Sequence, residues 1–422
     1  MSIGIDAALI IVGASLLVLG LMSRLIKRVF LSSVLLALLV GVVVGPEGIS
    51  VIDPAGTQEE RRAMEELARL TLAIALMGAG LHVTRGDLQE NAQRCFSLLT
   101  LGMVGMWVAT GLGAWLLLDL PFWAGFLLGA ILTPTDPVVA SALVTGPLAE
   151  QNLPRGLRST LQIESGANDG LALPFVLLAV FMLIKPQGEA VSEWVLEVVK
   201  EVGLAVAIGL LLGYAAAKLA ELSQRTSEME QPSLLGIGLA LALLTLGLVH
   251  MLGGSGILAV FVAALRFSTL LEEPVRERVE ETQETVTRFF ILPAFVLFGA
   301  ILPWSDWVAL GIPGLAFAAW VLLLRRPPIV PLALAVTRTD RGSTAFLAWF
   351  GPLGVAAIYY ATFIERYPIA ESETIFAAAS LAICGSIVVH SITATPGVRL
   401  LAGRSPLATL KDPLHPEAET AP

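Results

Sequence analysis

Between Gly129 and Gly170 two apolar segments carry an unusual concentration of polar chemistry. The first, GAILTPTDPVVAS, sets Thr133, Thr135 and Asp136 among prolines inside a hydrophobic run. The second, LQIESGANDGLALPFVLL, sets Glu164, Ser165, Asn168 and Asp169 at the same kind of depth. A carboxylate at membrane depth costs several kcal/mol unless it is hydrated, paired or protonated, so it marks a functional site by default. Pro134 and Pro137 flank Thr135 and Asp136, remove backbone donors and break the helix there. Broken backbone at that depth persists only where protein or a water-filled cavity satisfies it. In a helix, Glu164 and Asn168 share a face, as do Ser165 and Asp169, and together they make one polar stripe. The Ser165 hydroxyl, the Asp169 carboxylate and the Thr135 hydroxyl or carbonyl are hard oxygens, suited to an alkali cation rather than a transition metal. No histidine or thiol lies near them in the sequence. A merely structural polar cluster would pay the same burial cost without a use for it.

The elements that must hold these groups are membrane spans. Of 422 residues, 56% are hydrophobic and 14% charged, with a mean hydropathy of +0.80. A soluble domain carries about a quarter charged residues, so lipid is the solvent for most of this chain. The net charge of −9 comes with no basic tract that would bind nucleic acid. Cys95 and Cys384 stand far apart in or beside apolar segments, without metal spacing, and predict no disulfide. The apolar stretch from Ala7 to Met22 has no basic region before it and is followed by Arg24, Lys27 and Arg28, so it reads as a retained first span.

Windows of about 20 apolar residues give about thirteen spans. They fall near 7–23, 29–45, 65–83, 95–118, 121–144, 159–184, 195–218, 233–251, 254–271, 286–302, 306–336, 343–364 and 372–395, the eleventh with a kink at Pro327, Pro328 and Pro331. The expected organisation is one transmembrane domain over 1–395 and a short cytoplasmic tail over 396–422, fraying after Thr393. With the N-terminus outside, Arg24, Lys27, Arg28, Arg85, Arg94, Arg155, Arg158 and most later basic residues fall inside. Only Arg61, Arg62, Lys185, Lys200 and Arg366 fall outside, the asymmetry that the positive-inside rule demands. The C-terminus is then cytoplasmic.

A second interruption, Gly351-Pro352-Leu353-Gly354, lies in the twelfth span. The fifth and twelfth spans cross in opposite directions, as interrupted helices do in transporters built from inverted repeats with a site at the crossing. The fold class is therefore an all-α integral membrane protein with inverted repeats and interrupted crossing helices.

TPTDPVVAS followed by ESGANDG, with GSGILAVFVAAL at 254–265 and FLAWFGPLGVA at 346–356, resembles the monovalent cation:proton antiporter-1 family, the NhaP-like sodium/proton antiporters. The resemblance implies that Asp169 binds cation and proton alternately and that Thr135, Asp136 and Ser165 help form the Na+ site. It implies that Glu164 pairs with an arginine on a later span, Arg326 before Pro327, with Arg325 as the alternative. Thr133, Asn168 and Arg326 would be structural at the site. Asn168 in place of a second acid implies electroneutral exchange of one cation for one proton. The resemblance further implies a plasma-membrane homodimer serving pH homeostasis, with no cofactor beyond the transported Na+ or Li+ and H+. Leu353 departs from the pattern, since many members carry a basic residue there.

The remaining polar residues read more plainly. Arg69 is expected to snorkel to the headgroups, and His82, His250 and His390 to be isolated interface residues near span ends. Gly253-Gly254-Ser255-Gly256 with His390 has the look of an intramembrane hydrolase's nucleophile and base, but that reading explains neither Asp136 nor Asp169. The nearer alternatives are a K+/H+ antiporter of the same fold and a sodium-coupled solute symporter. Monovalent cations, protons and the lipid bilayer are the expected partners.

Overall fold

The computed structural model describes residues 13, 17, 32–50, 58–136, 151–225 and 231–401, and every element among them is helical. In order these are α1 (Ser33–Val44), α2 (Gln58–Leu81), α3 (Arg85–Ser97), α4 (Met103–Leu117), α5 (Phe122–Ile131), α6 (Arg155–Leu171), α7 (Leu173–Ile184) and α8 (Gln187–Arg225). They continue as α9 (Gln231–Met251), α10 (Gly256–Ser268), α11 (Glu273–Ala300), α12 (Trp304–Trp320), α13 (Ile329–Leu334), α14 (Arg341–Trp349), α15 (Val355–Phe363) and α16 (Ser372–Leu401). Wide π turns at Leu98–Gly102 and Val321–Arg325 join α3 to α4 and extend α12, and a 3-10 turn at Ile364–Arg366 follows α15. Local chemistry starts several of them. Ser32 caps α1 by accepting from the Val34 amide, and Thr84 with Asp87 forms a capping box at α3.

Among the described residues four stretches are long and apolar enough to cross a membrane: Arg85–Leu117, Arg155–Ile184, Trp304–Leu334 and Ser372–Leu401. The expected first span and the second half of the fifth lie outside the described residues. The fourth span begins earlier than hydropathy suggested, because the polar helix α3 runs without a break through its π turn into α4. The kink expected in the eleventh span falls at the π turn and the Pro327-Pro328 step. The expected domain boundary at 395/396 is passed by helix: α16 continues through Pro396 to Leu401 instead of fraying after Thr393. Tertiary packing holds that end, with Val398 buried and Gly397 seated so close to the Phe350 ring that a Cβ there would fall 2.4 Å from it.

The helices sort into two bodies by what they pack against. In the first, α1 and α2 pack on α11, α2 and α8 pack on α10, and α9 lies against α10 and α11. Gly41 and Gly299 let α1 and α11 touch backbone to backbone, since a Cβ on Gly41 would fall 2.0 Å from the Val296 carbonyl oxygen. In the second, α5 packs between α4 and α7, α12 runs along α16, and α13 meets α14. The bodies meet where α15 lies on α2 and where α6 lies against α10 and α2. Among the described residues every broken helix belongs to the second body.

Candidate ion site

Helix α5 ends at Ile131, where the Thr133 hydroxyl donates back to the Gly129 carbonyl at 2.8 Å. From there the chain passes through Pro134, Thr135 and Asp136 without helical hydrogen bonds and meets the break between α14 and α15 directly. The Asp136 amide donates to the Pro352 carbonyl at 2.8 Å, and the Asp136 Oδ2 accepts from the Val355 amide at 2.5 Å. Asp136 thus caps the positive N-terminal end of α15 with a negative charge. The approach requires glycine at 354, where a Cβ would lie 1.8 Å from that oxygen.

Helix α6 brings its polar stripe against this crossing. The Thr135 and Ser165 hydroxyls are 3.0 Å apart, and the Thr135 amide donates to Asn168 Oδ1 at 3.1 Å. Asn168 Nδ2 donates to the Thr135 hydroxyl at 2.8 Å and to Glu164 Oε1 at 3.1 Å. Glu164 faces Arg326 in a bidentate pair, with both N–O distances 2.8 Å and exposures of 0% and 2%. Arg326 Nε also donates to the Leu347 carbonyl at 2.7 Å, tying α6 to α14. One turn along α6, Asp169 is 0% exposed, and neither carboxylate oxygen has a hydrogen-bond partner among the described residues. Its backbone carbonyl accepts from the Tyr360 hydroxyl at 2.6 Å, and the carboxylates of Asp136 and Glu164 act on it electrostatically. A buried carboxylate whose oxygens have no partner among the described residues, one turn from the Ser165 hydroxyl, offers hard ligands for a small cation, or a base for one proton. Among the described residues no group of histidine, cysteine and acidic side chains forms a transition-metal cluster.

All the residues singled out from the sequence (Thr133, Thr135, Asp136, Glu164, Ser165, Asn168, Asp169 and Arg326) lie at or around this one crossing. Others were missed or misplaced. Arg325 is no partner of Glu164; it binds backbone carbonyls at the helix breaks. Ser386 accepts from the Leu353 amide at 2.9 Å inside the second break. His390 is not an isolated interface residue: it is buried, with Nδ1 against Ser386 and Nε2 3.0 Å from the Trp349 carbonyl oxygen. Both ring nitrogens are therefore engaged on α14 and α16, and neither is left to serve Ser255. The four-residue spacing of Ser386 and His390 in an apolar helix was the available signal. His82 is not isolated either, lying 2.9 and 3.1 Å from the carboxylates of Glu280 and Glu284 on α11. Arg69, partly exposed, pairs with Glu66 one turn away at 2.5 Å, which leaves the snorkelling expectation in place.

A helical fold with two broken helices meeting beside a buried, unpartnered carboxylate is the build of an ion-coupled secondary transporter. The family described as "Sodium/hydrogen exchanger, transmembrane" matches residues 13–400, and the chain belongs to that family. It is similar to Na(+)/H(+) antiporter 2 of Zygosaccharomyces rouxii, with 29% identity over 81% of this chain and 44% of that protein. It is similar also to the K(+)/H(+) antiporter NhaP2 of Shewanella sp. (strain ANA-3), with 28% identity over 90% of this chain and 64% of that protein. The chain thus spans about half the length of these curated relatives. Its fold matches the sodium proton antiporter MjNhaP1 from Methanocaldococcus jannaschii with a TM-score of 0.74, 22% identity, and coverage of 95% of this chain and 100% of that one.

Proposed function

We propose that this chain exchanges a monovalent cation, Na+ or Li+, for one proton across the plasma membrane by alternating access around Asp169. The observation that carries the reading is the buried Asp169 carboxylate, without a hydrogen-bond partner among the described residues, one helical turn from Ser165, whose hydroxyl meets that of Thr135. Asp169 gives up its proton to one side and takes the cation with oxygens from Ser165, Thr135 and Asp136. The second body then moves against the first, the usual way such repeats alternate access. Because a bound cation favours the ionised carboxylate, each ligand weakens the other's binding by the same factor. Membership of the sodium/hydrogen exchanger family supports the exchange, and the Shewanella relative's name favours K+ as the second reading. Assembly as a homodimer and the orientation, N-terminus outside and C-terminus cytoplasmic, belong to the same proposal.

Proton flux in proteoliposomes on separate addition of Na+, Li+ and K+ tests it. Flux with Na+ or Li+ is expected; flux with K+ alone would select the second reading, and flux with none would reject exchange. For orientation, single cysteines in a background lacking Cys95 and Cys384 are labelled with an impermeant reagent. Gly188→Cys is expected to react from outside and Ser405→Cys only after permeabilisation, and the reverse pattern would overturn the orientation.

A further inference from the structure

We infer that Arg325 supplies the positive charge of the helix crossing, holding the carbonyl ends of both broken helices and so positioning the cation site. The inference rests on the Asp169 reading above. Just past the C-terminal end of α5 at Ile131, the carbonyls of Leu132, Thr133 and Pro134 accept from Arg325 Nη1 at 2.7, 3.3 and 3.2 Å. The other arm, Nη2, donates to the Gly351 carbonyl just past the end of α14. Both are C-terminal helix ends, where unsatisfied carbonyls gather partial negative charge. Leu132 and Thr133 are fully buried, and Arg325 is itself only 3% exposed. No hydrogen bond or ion pair joins Arg325 to an acid among the described residues; the neighbouring acid Glu164 is taken by Arg326.

The break in the twelfth span supplies no charge of its own. Leu353 stands inside it, fully buried and apolar. The cation comes instead from a third element, the end of the π turn Val321–Arg325. There the chain leaves helical geometry, and Arg326 takes φ −110° and ψ −45° before Pro327. Two consecutive side chains can then diverge, Arg326 to Glu164 on α6 and Arg325 to the crossing. Asp136 at the N-terminal end of α15 and Arg325 at the C-terminal ends of α5 and α14 are opposite fixed charges on one crossing. With Glu164 matched by Arg326 and Asp136 bound to the amide end of α15, Asp169 is left with neither carboxylate oxygen hydrogen-bonded among the described residues, a charge that one proton or one monovalent cation neutralises.

The test compares Arg325→Lys, Arg325→Gln and Arg325→Gln with Leu353→Lys, each purified, checked for monodispersity and assayed for Na+-driven proton flux in proteoliposomes. Lysine, which keeps the charge but loses the fork, is expected to hold turnover within about threefold of the parent, whereas glutamine, which keeps amide donors but loses the charge, loses at least about tenfold. Placing the charge back on the twelfth span with Leu353→Lys is expected to recover most of that loss. If the glutamine variant transports as well as the lysine variant, no charge is needed and the inference is overturned. If the glutamine variant does not fold, folded yield replaces flux: rescue by Leu353→Lys supports the inference and no rescue overturns it. Asp169→Asn is assayed beside them. Exchange surviving in that variant defeats the Asp169 reading, while the order of the Arg325 variants still decides the charge.

Discussion

The two bodies solve the same solvent problem in opposite ways. The body of α1, α2 and α8–α11 keeps its helices whole: α8 runs for 39 residues and α11 for 28, and α1 reaches α11 through glycine-mediated contact. The body of α3–α7 and α12–α16 breaks its helices at 132–136, 326–328 and 350–354 and widens two turns. In lipid an unsatisfied backbone group costs several kcal/mol, so breaks survive only where side chains answer them. Here Thr133, Asp136, Arg325 and Ser386 each bond to backbone at a break. Irregular backbone and buried charge therefore belong together, and in the proposed exchange whole helices give the irregular body something to move against.

The sharpest break of this comparison is Asp169→Asn, which keeps the shape and removes the charge. It is expected to abolish both cation-driven proton flux and isotopic Na+ exchange. In the parent, the apparent KM for Na+ should rise as pH falls with little change in maximal rate, because proton and cation compete. Residual exchange by Asp169→Asn would move the assignment to Asp136.

Next comes the seam. Arg366, at the end of the 3-10 turn after α15, sits 2.6 Å from Glu65 on α2, with a second contact of 3.0 Å, and so joins one body to the other. Glu65→Cys and Arg366→Cys, in a background lacking Cys95 and Cys384, are bridged with a short thiol-reactive linker. Bridging is expected to stop exchange nearly completely and cleaving the bridge to restore it. Undiminished flux in the bridged protein would mean that α15 does not move against α2 during transport.

Within the broken body, Glu164→Ala and Arg326→Ala should each cost about 3–5 kcal/mol, since each strands a buried charge. The double variant should lose less than the sum. Strict additivity in thermal stability would contradict the bidentate geometry.

The smallest effect lies outside the membrane. Asp340 caps α14 by accepting from the Ser343 amide at 2.9 Å, and its hydrogen bonds with Ser343 hold its carboxyl below the usual aspartate range. A depressed value means that the cap is at full strength above the ordinary carboxylate range and weakens as pH falls through its own. Hydrogen exchange in the first turn of α14 should therefore quicken, beyond the intrinsic pH trend, only under strongly acidic conditions. Asp340→Ala should cost about 1 kcal/mol at neutral pH, and no change in either would remove the cap from the account.

Much of the site was legible in the chain because its signals are local. A polar stripe at four-residue spacing on α6, prolines around Thr135 and Asp136, and Gly-Pro-Leu-Gly in the twelfth span are each written within a few residues. Lipid leaves such groups few places to go, so composition pointed to a membrane fold and these local motifs to two broken helices. Hydropathy windows misjudged the ends of α3, α11 and α16, since these helices extend polar turns beyond the apolar stretch. What only the tertiary structure decided is partnership. Arg325 and Arg326 are neighbours of one type; the Arg-Pro step of the resembled family pointed to Arg326, and the packing shows that it meets Glu164, 162 positions away. The answer depends on the π turn and the Pro327 step, which aim consecutive side chains in different directions. His390 and Ser386 likewise look like ordinary polar residues until folding sets α16 against the broken twelfth span. Burial cost forces each polar group to find a partner, but only the packed geometry chooses which one.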